Sequence, residues 1–151
     1  MKNFCVKESA SNESITGPID VWEKLKEIGK ADQESMWIIG TNGDNKEIFR
    51  ECVAIGGLEH VALDPRIVFK RLLVNNCTAF ILIHNHISDT PEPSEDDIKL
   101  THHIQLLGYL LDIHLTDHII ITRDSMGSLN ELGLFLTNDQ ILKGLEGLKN
   151  I

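Results

Sequence analysis

The chain has 151 residues, of which 42% are hydrophobic and 25% charged, the balance of one soluble globular domain. No apolar run reaches the roughly 18 residues that a membrane helix needs. A net charge of −9 weighs against nucleic acid as a partner, because phosphate contacts need clustered Lys and Arg, and the longest basic cluster is Lys70-Arg71.

Residues 1–16 are polar and mixed and read as a loose lead-in. They carry no apolar segment behind Lys2, so no secretory signal is expected. Pro18 opens a predicted helix over Ile19–Ile28, with Val21, Leu25 and Ile28 at helical spacing and Gly29 as its stop. Ser35–Thr41 and Glu47–Ile55 flank the turn signal Asn42-Gly43-Asp44 and predict a hairpin. A short apolar stretch, Val61-Ala62-Leu63, precedes Asp64-Pro65. These suit an N-cap and first helical position, for a helix to about Asn75. Its inward residues are expected to be Ile67, Val68 and Leu72, with Phe69 as a further candidate.

Thr78–Ile83 is a continuous apolar run and reads as a central strand. A polar, proline-bearing loop, Asn85–Pro93, leads to a helix opened by Ser94. Its first turn holds Glu95, Asp96 and Asp97, favourable at a positive helix N-terminus. Leu100, Ile104, Leu107 and Leu111 form its apolar stripe. Ile113–Thr122 is a second long strand, Asp124–Gly127 a turn, and Asn138–Leu148 a final helix. Helices interleaved with hairpin strands predict an α/β or α+β domain with a mixed sheet. The cysteines, Cys5, Cys52 and Cys77, form no CxxC pair. They fit a reducing cytosol and argue against a Cys-based zinc site.

One stretch carries chemistry. His84 and His86 stand two apart at a strand end, so both imidazoles can point to one face. Asp97 lies in the first turn of the next helix. Two imidazoles and a carboxylate suit one catalytic zinc with a position left for water, which would lower the pKa of that water to about 7. Such a site also needs a base and an oxyanion donor, and Ser94 is placed to be the donor. Each residue has a plainer reading. Paired histidines can be a polar loop feature, and Ser94-x-x-Asp97 is close to a helix capping box, in which the serine is less free to face an oxyanion. The deaminase pattern H-x-E…P-C-x-x-C is absent.

His84, His86, Ser94 and Asp97 fill the spacing His-x-His, seven residues, Ser, two residues, Asp. The chain thereby resembles the JAB/MPN superfamily of JAMM-motif metalloproteases. The flanks narrow the resemblance to its RadC branch, in the short form that lacks the helical N-terminal region. The loop of that branch usually reads HNHPSGDPxPSxxDxxxT. Here it reads HNHISDTPEPSEDDIKLT, with Thr101 also matching. Asp64-Pro65-Arg66-Ile67-Val68-Phe69 and the strand around Asp117-His118-Ile119-Ile120-Ile121 match flanking RadC patterns, so the resemblance covers roughly residues 17–135.

The resemblance implies a JAB/MPN, cytidine deaminase-like α/β fold, a mixed sheet flanked by helices. The domain would occupy residues 17–136, after the lead-in 1–16 and before a C-terminal helix in 137–151. It implies one Zn²⁺ per chain on His84, His86 and Asp97, and hydrolysis of a peptide or isopeptide bond. Glu34, before the first core strand, would be the general base, with Glu47, Glu51 and Glu59 as weaker candidates. Asp117 and His118 are a pair that either orients a ligand from behind or makes a structural hydrogen bond. The usual Pro-Ser-Gly after the second histidine is Ile87-Ser88-Asp89, which could loosen the loop or bring Asp89 near the metal. Alternative readings are a non-catalytic metal-binding scaffold and a DNA-repair role, as the family's name suggests. The expected partner is a peptide or protein substrate in the cytoplasm, without membrane. An exposed strand edge could also pair two chains into a homodimer.

Overall fold

In a computed structural model of the chain, residues 8–9, 12–56 and 62–147 are described. Their elements are β1 (Glu8–Ser9), α1 (Pro18–Leu25), β2 (Ser35–Thr41), β3 (Glu47–Ile55), α2 (Pro65–Val74), β4 (Ala79–Asn85), α3 (Glu95–Leu111), β5 (His114–Ile121), β6 (Met126–Ser128) and α4 (Asn138–Glu146). The strands form one mixed sheet in the order β1-β3-β2-β4-β5-β6. Only the β4–β5 pair is parallel. Helix α3 is the crossover between these two strands, as a parallel pair requires.

The sheet exists because β4 is apolar on both faces. Every residue of β4 is buried. Phe80 and Leu82 join Met36, Ile38, Val68, Leu72 and Ile104 in one core cluster. Ile81 and Ile83 join Ile39, Ile119, Ile121, Val21 and Leu25 in another. Helices α2 and α3 therefore cover one face and α1 the other. Burying each such Leu, Ile or Phe contributes about 1.5–3 kcal/mol. The N-cap of α2 forms as expected: the Asp64 carboxylate accepts from the Arg66 N–H at 2.9 Å.

The structure departs from the sequence reading in several places. The first helix ends at Leu25 and continues as a 3₁₀ turn over Lys26–Lys30. Gly29 lies within that turn, where a Cβ would meet the Thr122 carbonyl, so it serves close packing and not termination. The lead-in is not loose in its described part: β1 pairs with Arg50 and Phe49 of β3, and the Glu13 carbonyl accepts from the Glu47 N–H at 3.0 Å. Ile67 is 43% exposed and Leu111 47%; each lies at the rim of its helix's apolar face. Strand β4 includes Asn85, and the second half of the expected turn Asp124–Gly127 belongs to edge strand β6, Met126–Ser128. Val61 and the expected helix end at Leu148 lie outside the described residues. Among the described residues, no helix is long and apolar enough to cross a membrane.

Helix α3 must return the chain to the start of β5 within a few residues. Asp112 takes the left-handed conformation at φ 55°, and the Ile113 N–H donates back to the Gly108 carbonyl at 2.9 Å. A Cβ at Gly108 would overlap the Ile113 carbonyl oxygen. Gly108→Ala is expected to destabilise the domain by roughly 1–3 kcal/mol or more through this overlap. Thermal denaturation beside the parent chain measures it.

Candidate metal centre

The site forms where β4 ends and α3 begins, on the sheet face that α2 and α3 cover. His84 is buried within β4, and His86 follows the strand half-buried, with ring centroids 4.7 Å apart. The His86 N–H still bonds to the Ile121 carbonyl at 2.9 Å, so the pleat carries through both histidines. Asp97 comes from the first turn of α3. Ser94 caps that helix: its hydroxyl oxygen accepts from the Asp97 N–H at 3.1 Å, while its own N–H donates to Asp97 Oδ2 at 2.8 Å. This capping box contributes about 1 kcal/mol to the helix and locks the rotamer of Asp97. Ser94 uses a lone pair for the cap and keeps its O–H proton, so capping and donation to an oxyanion do not compete.

Asp97 meets both histidines. Its Oδ1 is 3.3 Å from His84 Nε2 and its Oδ2 is 3.1 Å from His86 Nε2. Among the described residues, the ligand atoms of these three side chains lie within 4.8 Å of one another, compact enough to surround one cation.

The orientation of the His84 ring follows from the hydrogen bonds behind it. The Thr101 hydroxyl lies 2.6 Å from the Asp97 carbonyl oxygen, which can only accept, so Thr101 donates there. Thr101 Oγ1 is also 2.7 Å from His118 Nδ1, so that nitrogen carries a proton. His118 Nε2 is 2.7 Å from His84 Nδ1. Burial and the neighbouring His84 push the pKa of His118 well down, so His118 is neutral and its Nε2 accepts from His84 Nδ1–H. The lone pair of His84 Nε2 therefore faces Asp97. For His86, Nδ1 faces the Thr90 carbonyl at 3.3 Å, a long bond with the same sense. Both rings direct Nε2 at a carboxylate, an arrangement that needs a positive charge in its midst. A proton can supply it, and so can a divalent metal.

The electrostatics agree. Burial raises the pKa of Asp97, but hydrogen bonds from His84 and His86, which a proton on each Nε2 supplies, override it and hold the carboxyl well below its usual range. Burial favours neutral His86, yet the bond to Asp97 outweighs it and the net shift is upward, with Glu34 adding to the rise. The donor set of two imidazoles and one carboxylate, with Nδ1 of each ring tied back, fits a zinc site.

The other sequence candidates fall into place around this centre. Glu34 is half-buried just before β2. Met36 is opposite His84 at the last rung of the β2–β4 ladder, Glu34 lies two residues before Met36, and its charge is near enough to raise the pKa of His86. Glu47 and Glu51 are committed elsewhere, Glu47 to Arg50 at 2.6 Å and Lys24 at 3.4 Å, Glu51 to Arg71 at 3.1 Å. Glu59 lies outside the described residues. Asp89 is exposed and takes no part in the ligand cluster.

The pair Asp117-His118 is split by strand alternation. His118 supports His84, whereas Asp117 turns to the other face and accepts from Ser128 Oγ at 2.6 Å and the Asn130 N–H at 3.2 Å. Sequence reading gave Thr101 no chemical role, although its place four residues after Asp97 on the helix puts it on the same face. It also gave none to Asn85, whose side chain bonds the segment that carries Glu34.

Comparison with known proteins agrees with this geometry. The RadC-like JAB domain family matches residues 15–134. The chain is 37% identical to a UPF0758 protein of Flavobacterium johnsoniae over 108 residues, 72% of this chain and 47% of the relative. It is 33% identical to a UPF0758 protein of Caldanaerobacter subterraneus over 135 residues, 89% of this chain and 58% of the relative. A UPF0758 protein of Bacillus licheniformis is 41% identical over 101 residues, 67% of this chain and 45% of that protein. The chain thus spans about half the length of the curated relatives it matches.

Two outcomes are expected. Thr101→Val leaves His118 Nδ1 without its acceptor and frees the His84 tautomer, so zinc affinity should fall about 10–100-fold in chelator competition, with Thr101→Ser close to the parent. A cation held by these residues would have to displace the proton that Asp97 favours on His86. Since the pKa of that imidazole is raised above 6.5, affinity should be full above the raised value. It should fall by about tenfold per pH unit below it, as read by calorimetry across that range.

Proposed function

We propose that this chain, which belongs to the RadC-like JAB domain family, is a zinc-dependent hydrolase of peptide or isopeptide amide bonds. The observation that carries this reading is the convergence of His84 Nε2, His86 Nε2 and the Asp97 carboxylate, with the proton of His84 held on the far nitrogen by His118 and Thr101. A bare ion pair needs no such rear support, whereas a metal ligand does.

His84, His86 and Asp97 would hold the cation. When bound, zinc supplies a Lewis acid that polarises a carbonyl and brings the pKa of a water to about 7. Glu34 accepts the proton as water attacks the amide carbon and delivers it to the leaving nitrogen. The Ser94 hydroxyl, free of its proton's duties in the cap, donates to the oxygen on which charge develops. A peptide or protein is the substrate, and a reducing cytoplasm suits the buried thiols Cys52 and Cys77. The net charge of −9 lends no support to DNA as a partner.

Glu34→Gln tests the reading, because it removes the base and leaves the three ligands intact. Turnover of an amide substrate should fall by about 10²–10⁴-fold, with zinc content per chain unchanged. Undiminished turnover would remove Glu34 from the mechanism. A zinc-loaded parent chain without turnover on a broad peptide and isopeptide panel would favour a metal-binding scaffold.

A further inference from the structure

The residue between the two histidines faces away from the metal, yet it is completely buried. Asn85 shows 0% exposure, and strand alternation sends its side chain to the face opposite His84 and His86. There it meets the segment leading into β2. Its Oδ1 accepts from the Ser35 N–H at 2.8 Å and from the Ser35 hydroxyl at 3.1 Å, and its Nδ2 donates to the Gln33 carbonyl at 3.0 Å. The Ser35 hydroxyl oxygen in turn accepts from Trp37 Nε1–H at 3.0 Å.

These bonds stand where the backbone ladder stops. The β2–β4 pairing runs from Thr41↔Ala79 to Met36↔His84. Beyond it, the His86 N–H bonds to β5 through the Ile121 carbonyl, away from β2. The Asn85 carboxamide supplies the next rung in place of the backbone. It grips Gln33 and Ser35, the residues on either side of Glu34. From the other side, the Glu34 carbonyl accepts from the Gly56 N–H at 2.8 Å.

We propose that Asn85 is a positioning residue: it ties the Gln33–Ser35 backbone to the strand that carries His84 and His86, and so fixes the place of Glu34 relative to the ligand cluster. The proposal rests on the general-base reading of Glu34 for its effect on turnover, but the tie itself is independent of that reading. A buried amide with such partners is costly to leave unsatisfied. Its cross-strand bonds link the strand that carries His84 and His86 to the segment around a carboxylate 51 residues before Asn85 in the chain.

The test uses the full chain loaded with cobalt(II) and carrying ¹³C in its glutamate carboxylates. Glu34→Gln assigns the Glu34 signal. Paramagnetic relaxation of that signal reports the distance of its carboxylate from the metal without any substrate. In Asn85→Ala the metal content should stay at the parent value, while the relaxation enhancement of Glu34 falls at least severalfold. Asn85→Asp, which keeps the acceptor for Ser35 and loses the donor to Gln33, should lie between, and it serves if the alanine variant does not fold.

On an amide substrate, Asn85→Ala should lose up to about 10²-fold in kcat with KM little changed, and no more when added to Glu34→Gln. Unchanged relaxation of Glu34 in both variants would overturn the proposal. So would loss of metal in step with the loss of relaxation, which would mean that Asn85 acts through the ligands. If relaxation falls as expected but Glu34→Gln is fully active, the tie stands and the general-base reading fails.

Discussion

The Asp97 carboxylate has to satisfy several partners at once, and the site is built around that demand. One oxygen accepts from the Ser94 N–H and faces His86, and the other faces His84. Because Asp97 sits in the first turn of α3, the positive end of the helix steadies its charge, and the capping box leaves it one rotamer. The same carboxylate is thus a helix cap and a metal-ligand candidate without any change of position. Everything else at the site is arranged to bring electron pairs toward that fixed charge.

The arrangement depends on hydrogen-bond direction more than on distance. A backbone carbonyl can only accept, and this one constraint at Asp97 propagates through Thr101 and His118 to His84. Each bond in the chain is about 2.6–2.7 Å long and closed to water, where a mispaired polar group is costly. The result is a histidine whose forward-facing nitrogen is chosen by Thr101, about one helical turn after Asp97 on α3, acting through His118. Such rear support is what allows a strand-borne imidazole to hold a cation in one orientation.

Strand β4 performs both structural and chemical work because it is buried on both faces. Its alternation places Phe80, Leu82 and His84 toward α2 and α3, and Ile81, Ile83 and Asn85 toward α1. The hydrophobic residues hold the sheet together. At the end of the strand, the same alternation separates the ligand face from the face where Asn85 grips the start of β2. Central position in the sheet therefore gives the histidines a rigid base and also sets them beside β2, whose leading segment holds Glu34.

Much of this was legible in the sequence because it is local. The central strand, the α2 and α3 caps, and the set His84, His86, Ser94 and Asp97 all lie in short windows where period and turn chemistry speak directly. The resemblance to RadC-type domains added Glu34, a residue that no spacing rule ties to the histidines. Edge strand β6 went unread because three residues carry too little pattern, and Ile67 because a helix face is bounded by its neighbours and not by its own period. The split of Asp117 from His118 follows from strand alternation, but which of the two faces the metal depends on register with β4. Local spacing was enough to bring two imidazoles from a strand end and a carboxylate from a helix start into one candidate site. Only the tertiary structure decided which nitrogen of His84 carries the proton and how Glu34 is held, because those depend on hydrogen bonds between residues 17 to 52 positions apart. Their directions follow from donor and acceptor placement in three dimensions, which hydrophobic periodicity does not encode.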